Sequence, residues 1–72
     1  MNNQKAFVVT SAQIMGPEVY EGLFGSYKSA EKYIRKLFPN ARKDEPVGNK
    51  TSFLCRNKFG ESLMFIVEDE IQ

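Results

Sequence analysis

Apolar residues along this chain arrive in bunches, separated by glycine, proline and charged stretches. The first bunch, residues 5–14 (KAFVVTSAQI), places Phe7, Val8, Val9 and Thr10 in a row of aromatic and β-branched side chains that favours a strand. Because the apolar positions are contiguous rather than alternating, both faces of that strand are expected to be covered, which places it centrally in a sheet. Gly16–Pro17 breaks the run, since glycine tolerates unusual backbone angles and proline removes a ladder donor. Residues 18–24 (EVYEGLF) read as a second strand, with Val19, Glu21 and Leu23 on one side and Tyr20, Gly22 and Phe24 on the other. Gly22 inside that strand signals a bulge or a close backbone approach, and the intervening turn makes the two strands a hairpin.

The periodicity then changes from two to 3.6. Ala30, Tyr33, Ile34, Leu37 and Phe38 recur at helical spacing, Tyr27 extends the stripe backwards, and Lys28, Lys32, Arg35 and Lys36 fall away from it. Ser26 has the hydroxyl to accept a free first-turn amide, Glu31 stands four residues before Arg35, and Pro39 stops the helix. These signals predict a helix over residues 26–38. Residues 40–50 (NARKDEPVGNK) are polar and contain Pro46 and Gly48, predicting a long loop with room for a short edge strand around Arg42–Glu45. Residues 51–57 and 61–69 predict two more strands, joined at Lys58–Phe59–Gly60. Met64–Val67 would be an aggregation hazard on an edge, so that strand is expected to be paired on both sides. The expectation is therefore a single α+β domain over residues 1–72, ordered ββαββ. One helix packs on one face of an antiparallel sheet, and residues 1–4 are disordered.

Composition narrows this picture. A chain of 72 residues is near the lower limit for independent folding, so extra burial from a partner or a second copy would stabilise it. The single cysteine, Cys55, cannot form an internal disulfide. With no long apolar run and a polar start, the expectation is a cytoplasmic protein with no membrane contact. Net charge is +1, but residues 28–58 hold nine bases against three acids, or +6, and the flanks hold one base against six acids, or −5.

Catalytic chemistry is hard to assemble from these residues. Without histidine there is no Ser-His or Cys-His pair, and Cys55 sits within an apolar strand where a thiol is usually inert. Gly22 and Gly25 precede the helix, but their spacing fits neither a P-loop nor a dinucleotide motif. Glu18 and Glu21 are expected to face opposite sides of a strand, and Glu68, Asp69 and Glu70 read as a solvated acidic end. No enzyme, cofactor, metal or small-molecule substrate is expected. Two binding readings remain. The basic set Lys28, Lys32, Arg35, Lys36, Arg42 and Lys43 has the charge to follow a phosphate backbone, although the same residues suit an ordinary solvated helix face. The nine aromatic residues exceed what one small core holds, so some should form an exposed patch, with Phe59 at a hairpin tip the first candidate for a contact.

The segment Gly22–Ile34, G-L-F-G-S-Y-K-S-A-E-K-Y-I, resembles a recurrent piece of small proteins of phages and mobile elements, in which a short strand ends in an aromatic residue and a serine caps the helix. That resemblance implies an accessory protein that works by binding a macromolecule. Taken with the residues, it favours a protein-interaction or regulatory module, as a homodimer or with a protein partner. A nucleic-acid binder is the alternative.

Overall fold

The computed structural model describes residues 4–71 and shows an α+β fold built on one five-stranded antiparallel sheet. In chain order the elements are β1 (Gln4–Gln13), β2 (Val19–Phe24), α1 (Tyr27–Leu37), β3 (Arg42–Lys43), β4 (Lys50–Asn57) and β5 (Gly60–Ile71). The expected ββαββ order is thus corrected to ββαβββ, because Arg42 and Lys43 pair with Leu54 and Phe53 as a two-residue edge strand. Of the loop expected over residues 40–50, residues 44–49 remain outside the named elements, and they are tied down. The Asp44 amide donates to the Ser52 carbonyl at 2.9 Å, and Asn49 exchanges bonds of 2.7 and 2.8 Å with the Glu68 backbone. Of the four N-terminal residues expected to be disordered, Gln4 belongs to β1, and residues 1–3 lie outside the described residues.

Spatial order is β2-β1-β5-β4-β3, so the two most apolar strands, β1 and β5, are paired on both sides. Their full-length pairing, Gln4 with Ile71 through to Gln13 with Ser62, makes a ribbon that stretches the molecule to 47 × 22 × 21 Å. Helix α1 lies across one face. Ser26 caps it, its Oγ accepting the Ser29 amide at 3.1 Å, which satisfies one of the donors left free in the first turn. The buried positions Ala30 and Ile34 pack on Phe7, Val9, Phe53, Cys55, Met64 and Ile66, and Phe24, Tyr27, Tyr33 and Phe38 close the margins. Leu37, on the same predicted stripe, is instead 50% exposed, at the rim of a cavity whose other wall is formed by Ser11, Gln13, Ser62 and Met64.

The second strand departs from strict alternation. The register slips between Val9–Gly22 and Thr10–Tyr20, leaving Glu21 as an extra residue in β2. Strict alternation puts Tyr20 and Leu23 on opposite sides. The bulge brings them to the same side, opposite Thr10 and Val8, and turns Glu21 toward the helix. There Glu21 accepts from the Ser11 hydroxyl at 2.7 Å and from the Tyr33 hydroxyl at 3.3 Å. A Cβ at Gly22 would stand 3.1 Å from the Phe24 ring, so any side chain there would require that ring to shift.

Candidate functional site

Residues directly opposite in an antiparallel ladder share a face, so the register lists what the sheet presents on the side away from the helix. One row runs Leu23, Val8, Val67, Lys50 across β2, β1, β5 and β4. The next runs Tyr20, Thr10, Phe65, Ser52. A third runs Ala12, Leu63, Leu54, Arg42 across β1, β5, β4 and β3. The first two strands of this face are edged by Tyr20 and Leu23, which are 64% and 56% exposed, while Val8, Leu54, Leu63, Phe65 and Val67 are half-buried by one another. No element of the described chain covers them. This is a contiguous apolar surface of the kind that marks interaction sites.

Charged groups sit at its margins. Glu18, just before β2, accepts through Oε1 from the Thr10 hydroxyl and from the Lys50 ammonium, both at 2.9 Å. Lys50 therefore crosses the face, and its Nζ stands 4.2 Å from the centroid of the Phe65 ring, a cation–π contact. The Lys50 hydrogen bond, with help from Thr10, holds the Glu18 carboxyl below its usual range. At the far end Arg56 pairs with Glu61 at 2.8 Å.

The basic residues singled out in the sequence do not form one surface. Lys28, Lys32 and Lys36 point outward along α1, four residues apart and exposed. Arg35 turns inward: its Nε donates to Glu31 at 2.8 Å, its Nη1 donates to the Ala41 carbonyl at 2.9 Å, and its guanidinium lies 5.7 Å from the Phe53 ring centroid. Lys43 is held between Glu31, at 3.7 Å, and the ring of Tyr27, at 4.7 Å. Arg35 and then Lys43 keep the Glu31 carboxyl below its ordinary range. Arg42 belongs to the opposite face, beside Leu54 and Arg56.

A second apolar feature lies at one end of the ribbon. The tight turn after β1 and the hairpin turn between β4 and β5 stand side by side, and Met15 and Phe59 are 101% and 87% exposed there. Both turns are held by short bonds, Gly16 N–H to the Gln13 carbonyl at 2.8 Å and Phe59 N–H to Asn57 Oδ1 at 2.7 Å. Met15 adopts φ 68°, a left-handed conformation that is costly for a side-chain-bearing residue. Sequence reasoning singled out Phe59 but not Ile14 and Met15, whose place beside it depends on the long β1–β5 register.

A groove of about 360 Å³ runs between the start of α1 and residues 46–49, lined by Phe7, Tyr27, Pro46, Asn49, Thr51 and Glu68. It contains no nucleophile–base pair. Cys55 is fully buried beneath the helix, and burial pushes its thiol upward, away from the reactive thiolate. Among the described residues no three His, Cys, Asp or Glu side chains converge as a metal site, and no helix is long and apolar enough to cross a membrane. No family model, curated protein or solved structure matches the chain.

Proposed function

We propose that this chain is a non-enzymatic interaction module that acts through self-association or a protein partner, and that its contact surface is the sheet face opposite α1. The observation that carries this reading is the shared side of Tyr20, Leu23, Val8, Phe65, Leu63 and Leu54, an apolar surface that no described element covers. A protein partner suits it better than a nucleic acid, because large apolar side chains dominate it and the one cation that crosses it, Lys50, is already paired with Glu18. The resemblance of Gly22–Ile34 to accessory proteins of phages and mobile elements agrees with a role exerted by binding, in the cytoplasm of the host cell.

A photo-cross-linking side chain placed at Tyr20, with a control at Lys32, tests the reading in cells. Discrete protein adducts from Tyr20 and none from Lys32 are expected. Adducts to nucleic acid from Lys32 alone would overturn it.

The nucleic-acid alternative draws on one observation, the outward row Lys28, Lys32 and Lys36, which is without an ion-pair partner among the described residues. Three lysines neutralise few phosphates, and the other three candidates are bound elsewhere or face away. Binding to single- or double-stranded nucleic acid at low salt that falls steeply as salt rises would favour this alternative.

A further inference from the structure

We infer that the occupant of the uncovered sheet face is a second copy of this chain, joined face to face as a four-layer α/β/β/α dimer. This rests on the reading of that face as the binding surface and names its partner. Three features of the face support it.

The first is size. Four strands about 4.8 Å apart, over the three rows, make a face roughly 20 Å on a side, about 400 Å², so two such faces would bury on the order of 800 Å² in total, a small interface that suits a weak, concentration-dependent dimer. The second is charge. A two-fold axis parallel to β1 and β5 sets the β2 margin of one copy over the β4 margin of the other. Glu18 stands at the first margin and Lys50 at the second, and within one chain they already reach each other across Phe65 at 2.9 Å. In the dimer each Lys50 can swing off its own Phe65 and meet the Glu18 of the partner. The pair is thereby exchanged rather than lost, and the Phe65 ring is freed for the interface. The third is the condition of the alternative route, edge-to-edge pairing. The free edge of β2 carries a bulge, Gly22 and the carboxylates Glu18 and Glu21, and β3 at the other edge is two residues long. Each of these features discourages strand addition. The face carries no such protection beyond the exchangeable ion pair.

Sedimentation equilibrium on the full chain across a wide concentration range, with circular dichroism on every sample, tests this. The native chain should reach twice its 8.2 kDa mass. Leu23→Glu, at a position already more than half exposed, should remain folded and monomeric. Glu18→Lys alone and Lys50→Glu alone should each be monomeric, because both margins then carry one sign. An equimolar mixture of these two variants should restore the dimer, since opposite charges face each other again. A native chain that stays monomeric throughout, a Leu23→Glu variant that still dimerises, or a mixture that fails to reassociate would each overturn the inference. A monomeric native chain whose Tyr20 position still cross-links to another protein would overturn the self-association alone and leave the binding role in place.

Discussion

Lys50 Nζ lies 2.9 Å from Glu18 Oε1, joining opposite margins of the sheet above the ring of Phe65. The pair is exposed, and exposed pairs contribute only about 0–1 kcal/mol. Its consequence is chiefly positional, because it holds a hydrated charge over an apolar ring.

Acid should release it. The Glu18 carboxyl is lowered from 4.5, first by Lys50 and then by Thr10, so the folded chain holds that proton less tightly than the unfolded chain. The contribution is complete above the ordinary carboxylate range and is lost as pH falls through the lower folded value. Glu31, lowered chiefly by Arg35, acts with the same sign. Stability to urea should therefore decline below about pH 5, and Glu18→Gln should flatten part of that decline. A Glu18→Gln profile superimposable on the native one would contradict the role given to Lys50.

Two leucine-class positions on one helical stripe should differ sharply. Ile34 is fully buried among Val9, Phe53 and Met64, whereas Leu37 is half exposed. Truncating a buried aliphatic residue costs about 2–5 kcal/mol, which rivals the total stability of roughly 4–11 kcal/mol expected at this length. Ile34→Ala should be largely unfolded or melt far earlier than the native chain. Leu37→Ala should lose less than about 1 kcal/mol, as surface substitutions generally do. Thermal melts followed by far-ultraviolet circular dichroism separate the two, and equal losses would place Leu37 in the core.

That contrast also marks how far the sequence is legible. The helix can be read because its stripe, its Ser26 cap and Pro39 all act over a few residues, and the central placement of β5 follows from the run Met64–Val67. Gly22 does signal the bulge, but strict period-two reasoning still misplaces Glu21, because which residue is left over depends on how β2 fits against β1, and that fit is tertiary. The edge strand expected around Arg42–Glu45 does form, but only over Arg42–Lys43, and its extent is set by pairing with β4 rather than by any apolar signal. The apolar face away from the helix depends on register across four strands, so no local window reveals it. For the same reason the basic residues, adjacent in sequence, divide between an outward helix row, an inward cluster around Glu31 and the far face of the sheet.

Met15→Gly should raise the melting temperature. Met15 sits at φ 68° with its side chain fully in solvent, so glycine relieves backbone strain and removes no packing. The left-handed conformation costs about 1–2 kcal/mol for a residue with a Cβ, while glycine returns about 0.5–1 kcal/mol by loosening the unfolded chain. A net gain of about 0.5–1 kcal/mol corresponds to a rise of a few degrees in a domain of this size. The reverse experiment, Gly60→Ala at φ 130°, should lower it, because that conformation suits no alanine. If Met15→Gly destabilises the chain, the turn draws stability from the methionine in a way its exposure does not show.

Cys55 offers a reading of the whole fold through one thiol. It is fully buried in the core on the helix side of β4, its Sγ lies 3.7 Å from the Phe53 carbonyl, and burial raises its pKa. Both access and ionisation therefore oppose attack on a disulfide reagent, and modification has to wait for the helix to leave the sheet. In native buffer, labelling by a neutral aromatic disulfide should be slow and should accelerate with urea in step with the loss of circular dichroism. The Ile34→Ala variant should label at close to the unfolded rate without denaturant. Rapid labelling of the native chain, at a rate insensitive to low urea, would mean that α1 opens locally over Cys55 while the rest of the sheet stays intact.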